Sequence, residues 1–194
     1  MENKETPVAI LGAGAWGTAL ALHLARKQQT VQIWDRNANK LHHLRKHREH
    51  PSLPSHHLPD NIHIESTLHK ALANVRDIII AVSSDGFREV LKLIQPILHQ
   101  NHRVAWVTKG FEPHTHGLLH EAVIEVCGNS PIAVLSGPSF ANEVAKGLPT
   151  AIVVSSNNTD FSNDLMQRFN NTHFRVYSNA DMTGVELGGA IKMF

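Results

Sequence analysis

Short apolar runs recur along the chain, each bounded by a turn-forming stretch and followed by residues with helical spacing. Val8-Ala9-Ile10-Leu11, Val31-Gln32-Ile33-Trp34, Ile62-His63-Ile64 and Asp77-Ile78-Ile79-Ile80-Ala81-Val82 read as strands. So do residues 103–107, 132–135, 151–154 and 174–177. Their near-continuous apolar character is that of strands covered on both faces. Residues 18–27, 37–46, 66–73, 85–98, 118–126, 139–145 and 160–170 read as helices, and a last helix starts near Asp181. The clearest carries Phe87, Val90, Leu91, Ile94, Ile97 and Leu98 on one side, an amphipathic pattern. Ser66 and Asp85 are the expected helix caps. Residues 47–60 hold Pro51, Pro54 and Pro59 and read as a loop. Strands alternating with helices predict an α/β fold with a doubly wound, mostly parallel sheet. No internal repeat or low-complexity tract interrupts it.

The first strand runs directly into Gly12-Ala13-Gly14-Ala15-Trp16-Gly17. Alone, G-x-G-x-x-G is a weak signal. Between a strand and a helix it has a mechanical meaning: Gly12 permits the tight turn, Gly14 lets the backbone approach a pyrophosphate, and Gly17 lets the helix pack on the strand. The N–H groups of the first helical turn then face the anion. Asp35 follows about 20 residues on, where an acid binds an adenosine ribose. The combination predicts a Rossmann-type dinucleotide site. Asp35 favours NAD, whereas the adjacent Arg36 accepts NADP, so both cofactors stay open.

The apolar stretch 8–25 also resembles a membrane anchor or signal segment. Glu2 and Glu5 spoil a basic leader, three glycines weaken a spanning helix, and no small-residue cleavage site follows. The 194 residues are 42% apolar and 18% charged, enough for a packed core rather than a disordered chain. A formal net charge of +1 gives no reason to expect nucleic acid or a membrane surface as partner. The one cysteine, Cys127, excludes an intrachain disulfide, and a reducing cytoplasm is the expected setting. Of the 15 histidines, eight lie between His42 and His69. His43 and His47 are one helical turn apart, but no acid or cysteine joins them at metal-ligand spacing. A solvated surface is expected there, with no metal.

In such sheets ligands bind beyond the carboxyl ends of strands. Ser83-Ser84-Asp85-Gly86-Phe87, Thr108-Lys109-Gly110-Phe111 and Ser136-Gly137-Pro138-Ser139-Phe140-Ala141 all fall there. Each has a plain reading as a turn. Lys109 is the exception, because a cation after a buried strand and beside a glycine suits phosphate or a substrate oxygen. The last helix carries Gly188-Gly189 in its interior, where each glycine costs about 1 kcal/mol against alanine. Either the helix packs closely there or its backbone approaches a ligand, with Lys192 one turn beyond.

Taken together, the glycine turn, Thr108-Lys109-Gly110, residues 136–141, Gly147-Leu148-Pro149-Thr150-Ala151, Phe174-Arg175-Val176-Tyr177 and Val185-Glu186-Leu187-Gly188-Gly189-Ala190-Ile191-Lys192 resemble bacterial NAD(P)-dependent sn-glycerol-3-phosphate dehydrogenase. The resemblance runs along essentially the whole chain, in order. It implies hydride transfer between NAD or NADP and the glycerol 3-phosphate/dihydroxyacetone phosphate pair, for glycerophospholipid synthesis. Ala15, Trp16, Arg36 and Ala141 match cofactor positions. Lys109 matches a lysine shared by cofactor and substrate, and Gly137 and Ser139 match substrate contacts. Lys192 matches the catalytic lysine, a general base toward the ketone and a general acid in the reverse direction. Phe87 resembles an aromatic near the nicotinamide. Ser83-Ser84 departs from the family's usual Pro-Ser, and Met193-Phe194 from its usual Asn after the lysine.

The same resemblance divides the chain into a cofactor domain, residues 1–180, and the start of an all-α substrate domain, residues 181–194. The expectation is therefore a truncated chain with the cofactor site and little activity. The helix carrying Lys192 is expected to lack the partners that bury it. A homodimer is the implied full-length assembly. Two alternatives remain at this level: a non-catalytic NAD(H)-binding remnant, and a related hydroxy-acid dehydrogenase.

Overall fold

The computed structural model describes residues 6–128 and 130–191. Its strands are β1 (Val8–Leu11), β2 (Val31–Trp34), β3 (Ile62–Ile64), β4 (Asp77–Ile80), β5 (Arg103–Trp106), β6 (Ile132–Ser136), β7 (Thr150–Ser156) and β8 (Phe174–Ser178). They form one sheet in the order β3-β2-β1-β4-β5-β6-β7-β8. Neighbours from β3 through β6 pair in parallel. β7 enters antiparallel to β6, and β8 then runs parallel to β7. The sheet is thus doubly wound and mostly parallel, as the alternation of elements predicts. The reversal at β7 is not in that pattern, because side-chain periodicity carries no information about strand direction.

The helices are α1 (Ala15–Arg26), α2 (Ala38–His47), α3 (Leu68–Leu72), α4 (Ser84–Ile94), α5 (Leu119–Cys127), α6 (Ala141–Lys146), α7 (Thr159–Phe169) and α8 (Met182–Ile191). Every residue of β1, β4, β5 and β6 is buried, the signature of strands covered on both faces. β8 instead alternates, with Phe174 and Val176 inward and Arg175 and Tyr177 outward.

Two caps differ from the sequence reading. Thr67 rather than Ser66 caps α3, accepting the Lys70 N–H at 3.3 Å. Ser83 precedes α4, leaving Asp85 in its first turn, where an acid still complements the helix dipole. Arg26 and Lys27, at the end of α1, also serve neighbouring helices. Arg26 donates to the Val144 and Ala145 carbonyls of α6. Lys27 Nζ donates to the Gln167, Arg168 and Asn170 carbonyls around the end of α7. Cations at these carbonyl-rich termini tie α6 and α7 to α1.

Phe87 is a correction. It is fully buried on the inner face of α4, edge-on to Trp106 with ring centroids 6.1 Å apart. Its spacing with Val90, Leu91 and Ile94 commits it to the core rather than to the nicotinamide. The proline-rich loop is pinned by buried Leu53 and Leu58 and by Arg48, which donates to the Leu58, Pro59 and Ile62 carbonyls. The His43 and His47 rings lie 4.5 Å apart. Among the described residues, no group of three or more His, Cys, Asp or Glu is arranged to hold a metal. Cys127 is half-buried, and burial pushes its thiol up to about 11, far from the reactive thiolate range.

Candidate functional site

The strand order reverses between β1 and β4, so a crevice opens at their carboxyl ends. The three glycines of the turn occupy it for three different physical reasons. Gly12 has φ +124°, and a Cβ there would stand 2.5 Å from the Ala81 carbonyl oxygen. A Cβ on Gly17 would stand 2.1 Å from the Gly12 carbonyl oxygen. Gly14, by contrast, has an ordinary extended backbone (φ −78°, ψ 176°) and no heavy atom within 4 Å of a Cβ. Its bare side faces open space at the N-terminus of α1. Gly14→Val is therefore expected to fold normally and to lose NADH affinity at least tenfold, because the side chain fills the space meant for ligand. Gly17→Ala is expected to destabilise by about 1–3 kcal/mol through backbone overlap. Thermal melts and NADH fluorescence titration of the two variants check both outcomes. Equal loss of stability would contradict the separation of roles.

Asp35 follows β2 and turns inward. Its Oδ2 accepts the Ala13 N–H at 2.9 Å and its Oδ1 the Asn37 N–H at 2.8 Å. The carboxylate thus holds the glycine turn and the start of α2 while lining a cavity of about 220 Å³ with Gly12, Gly14, Arg36 and Lys40. Lys40 Nζ lies 3.5 Å from Asp35 Oδ2. Arg36 is ion-paired with Glu89 of α4.

Through Gly14, Val82 and Ser83 this cavity joins a second one of about 500 Å³. Ala15, Trp16, Thr108, Lys109, Ser139 and Ala141 line the second cavity. The trough therefore collects residues from the ends of β1, β4, β5 and β6. Trp16 Nε1 is a buried donor without a hydrogen-bond partner among the described residues, a group for which a ligand acceptor would be favourable. Thr108 Oγ1 donates to the Val82 carbonyl at 2.8 Å and clips β5 to β4 at the rim. Lys109 Nζ donates to the Gly137 carbonyl at 3.1 Å, and Ser139 Oγ to the same carbonyl at 3.3 Å. Gly137 meets β7 closely: a Cβ there would stand 2.9 Å from the Ala151 oxygen. Its glycine is explained by packing.

Past Lys109 a third cavity, of about 490 Å³, lies between Ser136, Gly137, Pro138 and α8, with Gly184, Gly188 and Ile191 on its helical wall. The glycine pair of α8 divides between the two readings of it. Gly189 sits against Ser136, a Cβ there falling 2.5 Å from its Oγ, whereas Gly188 borders open space. Lys192 lies outside the described residues. Through Ile191, α8 is not a bare helix: Val185, Glu186, Gly189 and Ala190 are buried.

Two carboxylates escaped the sequence reading. Glu112 is fully buried and organises the loop after Lys109, accepting the His114 N–H, the Thr115 N–H and hydroxyl, and Arg88. Burial alone would raise its carboxyl, but Thr115 and then Arg88 outweigh that and hold it down at about 2. Glu186 is likewise buried on α8. Its signal was an acid one helical turn before Gly189, on the face otherwise filled by small and apolar residues.

Residues 7–162 match the family described as NAD-dependent glycerol-3-phosphate dehydrogenase N-terminus. The chain is 47% identical over 194 residues to a glycerol-3-phosphate dehydrogenase (NAD(P)+) from Actinobacillus pleuropneumoniae, with 98% of this chain and 58% of the relative covered. A Coxiella burnetii relative of the same name is 45% identical, covering 99% of this chain and 58% of its own length. The crystal structure of glycerol-3-phosphate dehydrogenase from Coxiella burnetii superposes with a TM-score of 0.94 at 44% identity, over 97% of this chain and 58% of that one. The chain thus spans 58% of the length of these relatives. With its glycine turn, switch-point crevice and family match in agreement, the chain belongs to the NAD-dependent glycerol-3-phosphate dehydrogenase N-terminal family.

Proposed function

We propose that this chain is the cofactor-binding part of an sn-glycerol-3-phosphate dehydrogenase, exchanging a hydride between NAD(P) and the glycerol 3-phosphate/dihydroxyacetone phosphate pair. The observation that carries it is the trough itself. Bare backbone at Gly14 and the orphan Trp16 N–H, after β1, line one groove with the Lys109 ammonium, after β5. These residues fit a dinucleotide. The backbone N–H groups of the α1 N-terminus, with Gly14, Ala15 and Trp16, hold the pyrophosphate. Gly12 and Gly17 shape that turn. Asp35 and Arg36 would bound the adenosine end, and Ala141, which lines the second cavity and matches a cofactor position, would contact the cofactor there. When bound, NAD(P) supplies the hydride-exchanging ring.

Lys109, Gly137 and Ser139 then meet the substrate, Lys109 offering charge to its anionic oxygens. Lys192 takes the hydroxyl proton in oxidation and returns it in reduction, a role resting on its place in the motif that ends α8. Residues 1–180 form the cofactor domain in this reading, and residues 181–194 begin a helical substrate domain. A cytoplasmic homodimer serving glycerophospholipid synthesis is the expected setting. Among the described residues, no helix is long and apolar enough to cross a membrane.

The deciding experiment pairs two measurements on one preparation: NADH binding by fluorescence, and NADH oxidation on adding dihydroxyacetone phosphate. Saturable NADH binding is expected, and its absence overturns the reading. Binding without oxidation confines the chain to cofactor binding.

A further inference from the structure

We propose that Glu186 is a positioning residue: acting through α8, it sets the Lys109 ammonium at the carboxyl edge of the sheet. The inference rests on the reading of Lys109 as a ligand-binding cation in the trough. Glu186 is only 5% exposed. Its Oε1 accepts Trp106 Nε1–H at 3.1 Å and the His120 N–H at 3.0 Å, and its Oε2 pairs with His120 Nδ1. One carboxylate therefore joins α8 to the end of β5 and the start of α5, across 80 and 66 residues of chain. Trp106 is the last residue of β5, three positions before Lys109.

One helical turn after Glu186, on the same face, Gly189 brings the α8 backbone against the rim. A Cβ at 189 would stand 2.5 Å from Ser136 Oγ and 3.7 Å from Lys109 Cγ. The lysine stem thus lies beside α8, while its Nζ reaches the Gly137 carbonyl at 3.1 Å. A leucine at 186 would bury the same face without desolvating a charge. What apolar contact does not supply is a defined height and rotation of the helix, since it is non-directional. Three directed hydrogen bonds to two other elements do supply them. Burial raises the Glu186 carboxyl above its ordinary range, and His120 and Trp106 oppose that rise. The group is held in place by those donors rather than by solvation.

The test measures acylation of Lys109 by an N-hydroxysuccinimide acetate reagent, read by mass spectrometry against exposed Lys46 in the same molecule. NADH affinity is measured in parallel. Glu186→Leu is expected to change Lys109 reactivity relative to Lys46 by about tenfold, the scale of losing charge-assisted hydrogen bonds, and to weaken NADH binding. Glu186→Gln keeps an acceptor for Trp106 and His120 and is expected to stay within about twofold of the parent. Unchanged Lys109 reactivity in Glu186→Leu overturns the proposal whatever NADH does, and so does a Gln variant that behaves like Leu. If the Leu variant does not fold, His120→Ala carries the test. It removes one arm of the clasp and is expected to change reactivity about threefold, with no change again overturning the proposal. Failure of the parent chain to bind NADH sinks the cofactor reading alone, because acylation still decides the positioning.

Discussion

Asp77→Ala should destabilise the protein by about 3–5 kcal/mol, the scale of breaking a buried ion pair. Asp77 opens β4 and is completely buried. Its Oδ1 accepts from Arg103 Nε at 2.7 Å and its Oδ2 from Arg168 Nε at 2.6 Å. Both arginines are buried, and Arg103 also lies 4.3 Å over the Phe161 ring. Arg103 keeps Asp164 at 2.6 Å, and Arg168 keeps Gln29 at 3.0 Å. Removing Asp77 leaves two guanidinium groups out of water with one acid between them. Against a typical total of about 5–15 kcal/mol for a domain, that loss is severe. Urea unfolding measures it. Combining Asp77→Ala with Arg168→Met should recover part of the loss, because the stranded charge goes too. A double variant no more stable than the single one would show that packing, not charge, is at stake. The cluster lies at the amino edge of the sheet, opposite the trough, so the folded fraction of Asp77→Ala should bind NADH normally.

The second large effect is a loss of stability between pH 6.5 and 4, traced to His23. Its Nε2 lies 2.7 Å from the Phe169 carbonyl oxygen, and its ring stacks parallel to Phe169 and lies tilted against Phe174. Burial first, then the charges of Lys27 and Arg26, lower it to about 4, against the partial opposition of the Phe169 carbonyl. The unfolded chain protonates this histidine near its ordinary 6.5, before the folded protein does. Stability is therefore complete above about 6.5 and falls as pH approaches 4, by on the order of 3 kcal/mol. His23→Gln keeps a donor for the Phe169 carbonyl and cannot titrate. Urea midpoints from pH 7.5 to 4.5 should slope less steeply in this variant than in the parent. Burial lowers His50 and His102 as well, but they act in both proteins, so the difference isolates His23. Parallel slopes would remove His23 from the account.

Much of the trough was legible because its determinants are local. G-x-G-x-x-G lies within six consecutive residues: Gly12 and Gly17 answer to atoms of their own turn or of Ala81 just after β4, and Gly14 to the open space beside it. The loops of Lys109, Gly137, Ser139 and Ala141 were placed by a rule about strand ends, and the structure brings Lys109, Ser139 and Ala141 to one cavity. What they share is position after a buried strand, which the apolar runs reveal.

The less legible features join residues remote in sequence. Nothing near Asp77 announces Arg168, 91 residues away, and nothing near Glu186 announces His120, 66 residues away. Asp35 was readable as an acid after β2, but its inward turn to the Ala13 N–H depends on how the glycine turn stacks beside it. Phe87 was readable on the apolar side of its helix, and the structure adds the Trp106 ring that it packs against. By itself the sequence determined which segments become strands and helices, the doubly wound order of chemistry along them, and the glycine turn, because periodicity and turn sterics act over a few residues. The tertiary structure alone decided strand direction at β7, the partners of the buried charges and the seat of α8. Those depend on which strand ends and helix faces meet, and a buried charge is tolerated only where such a meeting supplies its partner.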